Sequence, residues 1–273
     1  MSRIERALEN ALEQRRLTIP GAADLPRATC AELREETARS GSRSRKVSVK
    51  PNTLLTATAM AHDSHVAEEF RKVKERIINR DGGYPVKNTF MITSALPGEG
   101  KSLASLNLAI SLAQEFDHTV LLIDADLRSP SCAGYLGLEC RTGLSECLGQ
   151  GLDVSEALLG TNIGKLRFLP AGTPPRNPAE LFSSNRMNLL MDEIKHRYPD
   201  RFVIIDTPPV LPYAETRSIG GMVDGVFMVV RAGFASMDQV MESVNALPDK
   251  SVLGVIYNGS SASRRSGYGY SPR

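Results

Sequence analysis

The sequence predicts an α/β fold in which a mostly parallel sheet is flanked by helices. From Asn88 onwards, apolar runs alternate with helical segments, as in successive βα units. Most runs are continuous in Val, Ile, Leu and Phe, which is typical of strands buried in a parallel sheet. The predicted strands are Phe90–Ser94, Thr119–Asp124, Lys165–Leu169, Phe202–Asp206, Gly225–Arg231 and Val252–Tyr257. The predicted helices are Lys101–Gln114, Gly143–Gly149, Val154–Leu159, Pro178–Tyr198, Ala214–Gly220 and Ser236–Leu247.

The first predicted strand runs into a glycine-rich turn that opens a helix. Ala95-x4-Gly100-Lys101-Ser102 fits the phosphate-binding P-loop, whose backbone N–H groups and helix N-terminus face an anion. Lys101 would reach the β- and γ-phosphates, and the Ser102 hydroxyl would ligate Mg2+. We therefore expect a doubly wound P-loop NTPase fold that binds ATP and Mg2+. The expected nucleotide-binding residues are Ala95, Leu96, Pro97, Gly98, Glu99, Gly100, Lys101, Ser102 and Leu103.

Acidic residues follow two of the predicted strands. Asp124 and Asp126 lie just past one strand, and Asp206 ends another. Ligands of such sheets bind at the carboxyl ends of the strands, and a carboxylate buried there needs a cation. Mg2+ on ATP would supply one. A structural salt bridge is the alternative for each aspartate. Asn258, just after the last strand, either contacts adenine or caps a turn.

Composition limits the possible partners. The chain has 273 residues and a formal net charge of +2, which argues for neither nucleic acid nor a strongly acidic partner. The four cysteines lack metal-binding spacing and predict reduced thiols of a cytoplasmic protein. No apolar run has the length of a membrane-spanning helix, so we expect membrane association only through a partner.

The expected organisation has five parts. Residues 1–17 form an amphipathic helix, 18–64 a flexible linker, and 65–85 a helix that precedes the core. Residues 86–259 form the P-loop domain, and 260–273 a Gly/Ser-rich tail. Tyr268 and Tyr270 are the only aromatic residues of this tail, whereas Tyr257 lies in a strand and is expected in the core.

Three motifs together resemble the bacterial tyrosine kinases, which are P-loop autokinases of exopolysaccharide synthesis. They are the P-loop, the segment Leu121-Leu-Ile-Asp-Ala-Asp-Leu-Arg-Ser-Pro130, and Ile204-Ile-Asp-Thr-Pro-Pro209. The resemblance covers Glu68 to about Gly259 and implies that ATP is the phosphoryl donor. The opening Met-Ser-x-Ile-Glu-x-Ala-Leu is similar to a subgroup associated with exosortase-type polysaccharide systems.

The resemblance also implies roles for individual residues. Lys101, Asp124 and Asp126 would be catalytic, with Asp124 orienting the incoming hydroxyl or accepting its proton. Ser102 and Asp126 would hold Mg2+ directly, and Asp206 would act through water. Arg128 would either neutralise charge on phosphate or fix Asp126. The phosphate acceptors would be Tyr268 and Tyr270.

Partners are implied in the same way. Family members without membrane helices are activated by a membrane adaptor of the chain-length-determinant type, which would recruit this chain to the inner face of the membrane. In the family, Glu-x-x-Arg-x-x-Arg builds a homo-oligomeric ring. This chain has Glu68-x-x-Arg71-x-x-Lys74, and lysine cannot make the two-pronged contact of arginine.

Two other functions fit the same fold. A partition or positioning ATPase would carry lysine at the second P-loop position, where this chain has Leu96. A non-catalytic subunit that senses ATP would need no acceptor tyrosine.

Overall fold

The computed structural model describes residues 45–49, 65–78, 87–197, 201–248 and 252–260. The predicted N-terminal helix and the tail with Tyr268 and Tyr270 lie outside these residues. Eight strands are described: β1 Arg45–Lys46, β2 Thr89–Ser94, β3 Thr119–Asp124, β4 Leu159–Gly160, β5 Leu166–Leu169, β6 Arg201–Asp206, β7 Gly225–Arg231 and β8 Val252–Asn258. The described helices are α1 His65–Ile78, α2 Lys101–Ala113, α3 Cys132–Tyr135, α4 Leu144–Gln150, α5 Val154–Ala157, α6 Pro178–Phe182, α7 Asn185–Arg197, α8 Glu215–Gly220 and α9 Met237–Asn245.

The strands form one sheet in the order β1-β4-β5-β3-β6-β2-β7-β8. Every pair is parallel except β4 with β5, which is antiparallel. The three central strands β3, β6 and β2 are almost wholly buried, which explains their continuous apolar runs. The predicted doubly wound, mostly parallel sheet is confirmed.

Two apolar cores cover the two faces of the sheet. On one face, α2 packs against the sheet with nearly all of its side chains buried, and α1 packs on it through Phe70, Val73 and Ile77. On the other face, apolar side chains of α4 and α7 and of the segments around α8 and α9 form the second core. No helix among the described residues is long and apolar enough to cross a membrane.

The sheet extends into the segment predicted as a linker. Arg45 and Lys46 pair with Leu159 and Gly160, and the Val47 amide donates to the Gly160 carbonyl at 2.8 Å. Val49 is buried. The predicted helix Val154–Leu159 is therefore too long, because Leu159 belongs to β4.

One predicted helix is two helices. The segment predicted as a single helix from Pro178 breaks between α6 and α7. There the Ser184 hydroxyl accepts a hydrogen bond from the Met187 amide at 3.2 Å, as at a helix N-cap. The short helix α3 was not predicted.

Tyr257 is not in the core, contrary to expectation. It is 61% exposed, because β8 is the edge strand and Val255 and Tyr257 alternate towards solvent.

The charged helix α1 is tied to the domain that follows it. Arg71 pairs with Glu68 on the same helix, whereas Lys74 pairs with Glu115, just after α2. Lys74 therefore makes a contact within the chain itself.

Candidate active site

The loop between β2 and α2 depends on two glycines. Gly98 and Gly100 have φ values of 83° and 90°, in the left-handed region that favours glycine. A Cβ atom at Gly100 would also lie 2.2 Å from the Asn258 Nδ2 atom. The glycine spacing of the P-loop is thus required both by the backbone conformation and by the neighbouring side chain.

Residues at the ends of β7 and β8 hold the loop by its carbonyl groups. The Asn258 side-chain amide donates to the Glu99 carbonyl at 2.9 Å. The Arg231 guanidinium donates to the Gly98 carbonyl at 3.2 Å and lies over the Phe234 ring. The first N–H groups of α2 have no partner within the helix, so this end of the helix can bind an anion.

Glu99 contributes its backbone to the loop rather than its side chain. The side chain is fully buried, and its oxygens lack hydrogen-bond partners of normal geometry. Burial raises the pKa of the Glu99 carboxyl, and the nearby Ala95 backbone amide offsets part of that rise.

Lys101 meets the acidic residues at the strand ends. Its Nζ atom donates to the Asp126 Oδ2 atom at 2.7 Å. Burial opposes the charge on Lys101, but the carboxylates of Asp206 and Asp126 more than compensate, so the pKa of Lys101 is raised. The lysine of the P-loop is therefore a stable cation among carboxylates.

Asp124 and Asp206 are register partners on the adjacent parallel strands β3 and β6, and both are fully buried. The two Asp124 oxygens accept hydrogen bonds from the backbone amides of Asp126 at 3.2 Å and Cys132 at 3.1 Å. Burial and the charge of Asp206 raise the pKa of Asp124 to about 8, although these amides oppose the rise. Because its pKa is raised, the Asp124 carboxyl binds a proton more tightly here than it would in water.

Asp206 is held by hydroxyl groups. The Ser105 hydroxyl donates to its Oδ1 atom at 3.0 Å. Burial raises the pKa of Asp206, while Lys101 and the hydroxyls of Ser102 and Ser105 offset part of the rise. Ser105 was not predicted, although it lies one turn after Lys101 on the same helix.

Cys132 is a site residue that the sequence analysis missed. Its Sγ atom lies 3.5 Å from the Asp206 Oδ2 atom. Ligand atoms of Asp124, Cys132 and Asp206 lie within 4.8 Å of one another. No local pattern distinguishes this thiol from the other cysteines, because α3 brings it to the site.

Arg128 does not make the expected contact with Asp126. Its Nε atom donates to the Glu215 Oε1 atom at 2.5 Å, and its guanidinium lies 4.5 Å from the centre of the Tyr213 ring. Asp126 is instead fixed by Lys101 and by the Ser129 amide, which donates to Asp126 Oδ1 at 3.0 Å.

The residues present suit a magnesium nucleotide. Three buried or nearly buried carboxylates face one lysine at this rim of the sheet, so positive charge is in deficit. Carboxylate and hydroxyl oxygens are also the ligands that Mg2+ prefers. The structure brings together Lys101, Ser102, Asp124, Asp126 and Asp206, with Asn258 beside the loop.

Comparisons with known proteins identify the family of this chain. The family model described as an AAA domain matches residues 89–249. A tyrosine-protein kinase, YwqD of Bacillus subtilis, is 38% identical over 206 residues, which cover 75% of this chain and 85% of that protein. The kinase domain of the Escherichia coli tyrosine kinase ETK is 28% identical with a TM-score of 0.69, covering 80% of this chain and 85% of that chain. The chimerical protein CapA2B2 has the same identity and TM-score and covers 82% of this chain and 97% of that chain. The chain therefore belongs to the bacterial tyrosine kinases, the family whose three motifs it carries at one rim of its sheet.

Proposed function

We propose that this protein-tyrosine kinase is an autokinase, which transfers the γ-phosphoryl group of ATP to Tyr268 and Tyr270 of its own C-terminal segment. The observation that carries the proposal is the convergence of Lys101 with Asp126, at 2.7 Å, beside the paired carboxylates of Asp124 and Asp206. Through this activity the chain would regulate exopolysaccharide synthesis or export, the process in which the family that it resembles acts.

The site residues would divide the work as follows. The P-loop amides and Lys101 would bind the phosphates of ATP, and Asn258 would hold the loop or contact adenine. The Ser102 hydroxyl and the Asp126 carboxylate would ligate Mg2+, with Asp206 acting through water. Bound there, Mg2+ would neutralise charge on the phosphates.

Asp124 would orient the incoming tyrosine hydroxyl. Both of its oxygens are held by backbone amides, so its position is fixed. Phosphoryl transfer through a loose transition state demands little early deprotonation of the hydroxyl. Position and charge neutralisation should therefore matter more than the strength of a base.

The partners follow from the same proposal. A membrane adaptor of the chain-length-determinant type would recruit the chain to the inner face of the membrane and activate it. Phosphorylation of one copy by another would require a homo-oligomer. The helix α1 with Glu68, Arg71 and Lys74 is the proposed interface.

The test is direct. The purified chain, with and without the cytosolic segment of a candidate adaptor, is incubated with ATP and Mg2+, and phosphotyrosine is mapped by mass spectrometry. We expect phosphate on Tyr268 or Tyr270, and a loss of at least a hundredfold in the Lys101→Met variant, because the donor phosphates lose their cation. ATP hydrolysis without phosphotyrosine would contradict the proposal and favour a positioning ATPase, and ATP binding without either would favour a sensor.

A further inference from the structure

Arg128 is held in place at the rim of the site, but only part of its guanidinium group makes hydrogen bonds. Its Nε atom donates to Glu215, whose side chain is 1% exposed, and its guanidinium carbon lies 4.5 Å from the centre of the Tyr213 ring, within the range of a cation–π contact. The Arg128 side chain itself is 37% exposed. Within the part of the chain that the structure describes, its two terminal nitrogens make no hydrogen bond. Arg128 therefore presents an oriented guanidinium edge to solvent.

Arg128 and its partners lie on two segments that follow β3 and β6, the strands that end at the catalytic aspartates. Arg128 lies two residues after Asp126, whose carboxylate contacts Lys101. Tyr213 and Glu215 follow β6, the strand that ends at Asp206. The open edge thus lies where the loops after β3 and β6 meet, and no described hydrogen bond joins it to the P-loop.

A guanidinium held in this way suits a phosphate group. Its terminal nitrogens can donate two parallel hydrogen bonds to one oxyanion, and the orientation is already fixed by Glu215 and Tyr213. The nucleotide phosphates have their own ligands in the P-loop and Lys101. Besides the nucleotide, the phosphate expected at this site is the phosphotyrosine that the reaction produces.

We infer that Arg128 binds the phosphate of a phosphotyrosine on the acceptor segment while a second tyrosine occupies the catalytic site. Tyr268 and Tyr270 are two residues apart, a separation of at most about 7 Å in an extended chain. Arg128 lies in the loop that follows Asp124, the residue proposed to orient the acceptor hydroxyl, so residues of one loop would hold the two tyrosines. The first phosphorylation would then favour the second. This inference rests on the proposed autokinase function.

The experiment measures binding in the absence of phosphoryl transfer. The chain is treated with phosphatase and loaded with ADP and Mg2+. Fluorescent peptides with the sequence of residues 262–273 are compared, one with phosphotyrosine at Tyr270 and one without, both carrying Tyr268→Phe. We expect the phosphopeptide to bind about tenfold more tightly, as for a charged, two-pronged contact.

Variants locate the site. Arg128→Lys keeps the positive charge but cannot donate two parallel hydrogen bonds to one phosphate. It should reduce the preference for the phosphopeptide to about twofold or less. Arg128→Gln combined with Glu215→Gln removes both charges, so no buried carboxylate is left unpaired, and should give the same result. Arg217→Gln, which removes one positive charge at an exposed position of α8, should keep the preference. ADP affinity and the melting temperature are measured for each variant as controls.

Three results would overturn the inference. They are equal affinity for the two peptides, a preference that survives Arg128→Lys, and displacement of the phosphopeptide by inorganic phosphate at an equal concentration. The proposed function is tested separately, because this binding needs no catalysis. Arg128-dependent binding without any autophosphorylation would refute the autokinase, whereas autophosphorylation without such binding would refute only this inference.

Discussion

Replacing Asn258 can show whether its side chain stabilises the P-loop or instead contacts the adenine base of the nucleotide. Its side-chain amide donates to the Glu99 carbonyl at 2.9 Å. Asn258→Ala removes this hydrogen bond, which is worth about 1 kcal/mol, and so should weaken nucleotide binding about fivefold. Because the loop binds phosphates, the loss should be equal for ATP and for tripolyphosphate, which has no base.

Titration calorimetry with Mg2+ complexes of ATP and of tripolyphosphate measures both affinities. Val255→Ala, an exposed change on the same strand, is the matched control and should leave both affinities unchanged. Gly100→Ala should abolish binding, because alanine is strained at a φ of 90° and its Cβ would also displace the Asn258 amide, whose Nδ2 atom would lie 2.2 Å away. Combining it with Asn258→Ala removes this clash but leaves the positive φ, so binding should recover only in part. Weaker ATP binding with unchanged tripolyphosphate binding would refute the loop role and favour an adenine contact.

Two further predictions concern stability, and urea unfolding measures both. Because the pKa of Asp124 is raised from 3.8 to about 8, the native state binds this proton more tightly than the unfolded state does, and the stabilisation is lost as pH rises through about 8. Without ligands, the wild type should lose up to about 4 kcal/mol between pH 5 and pH 9, at about 1.4 kcal/mol per pH unit below pH 8, and Asp124→Asn should remove most of this loss. An unchanged slope in Asp124→Asn would assign the proton to another group. The second prediction concerns Glu146, which accepts hydrogen bonds from the backbone amides of Gly143 at 2.8 Å and Thr173 at 3.1 Å. Glu146→Ala should lower the free energy of unfolding by about 2 to 4 kcal/mol, because it leaves two backbone donors unpaired. A cost below about 1 kcal/mol would show that water replaces the carboxylate.

The sequence was sufficient to predict the central sheet and the rim on which the site lies. Buried parallel strands appear as long apolar runs, and their carboxyl ends are marked by Asp124 and Asp206. Their direct pairing in the sheet is seen only in the structure, because strand order and register depend on contacts distant in sequence. The P-loop was recognisable because its glycines and lysine lie within eight residues of one another in the sequence.

The remaining features depend on contacts that no local pattern encodes. Arg128 meets Glu215 across 87 residues of sequence, and Asn258 meets Glu99 across 159. The short strands β1 and β4 have two residues each, too few to show a period. The break between α6 and α7 depends on the side chain of Ser184, which forms an N-cap within a segment of helical pattern.

The charges of the site predict that its residues would bind a nucleotide phosphate only together with a metal ion. Asp124, Asp126 and Asp206 would repel the phosphates of a nucleotide, and Lys101 is already engaged by Asp126. Protonation relieves this repulsion in the ligand-free state, as the raised pKa of Asp124 indicates. A divalent cation relieves it differently, because it lets the carboxylates ionise and attracts the phosphates at the same time. Nucleotide and metal should therefore bind cooperatively. The coupling free energy between the two ligands comes from the cost of burying these carboxylates, which the bound metal offsets.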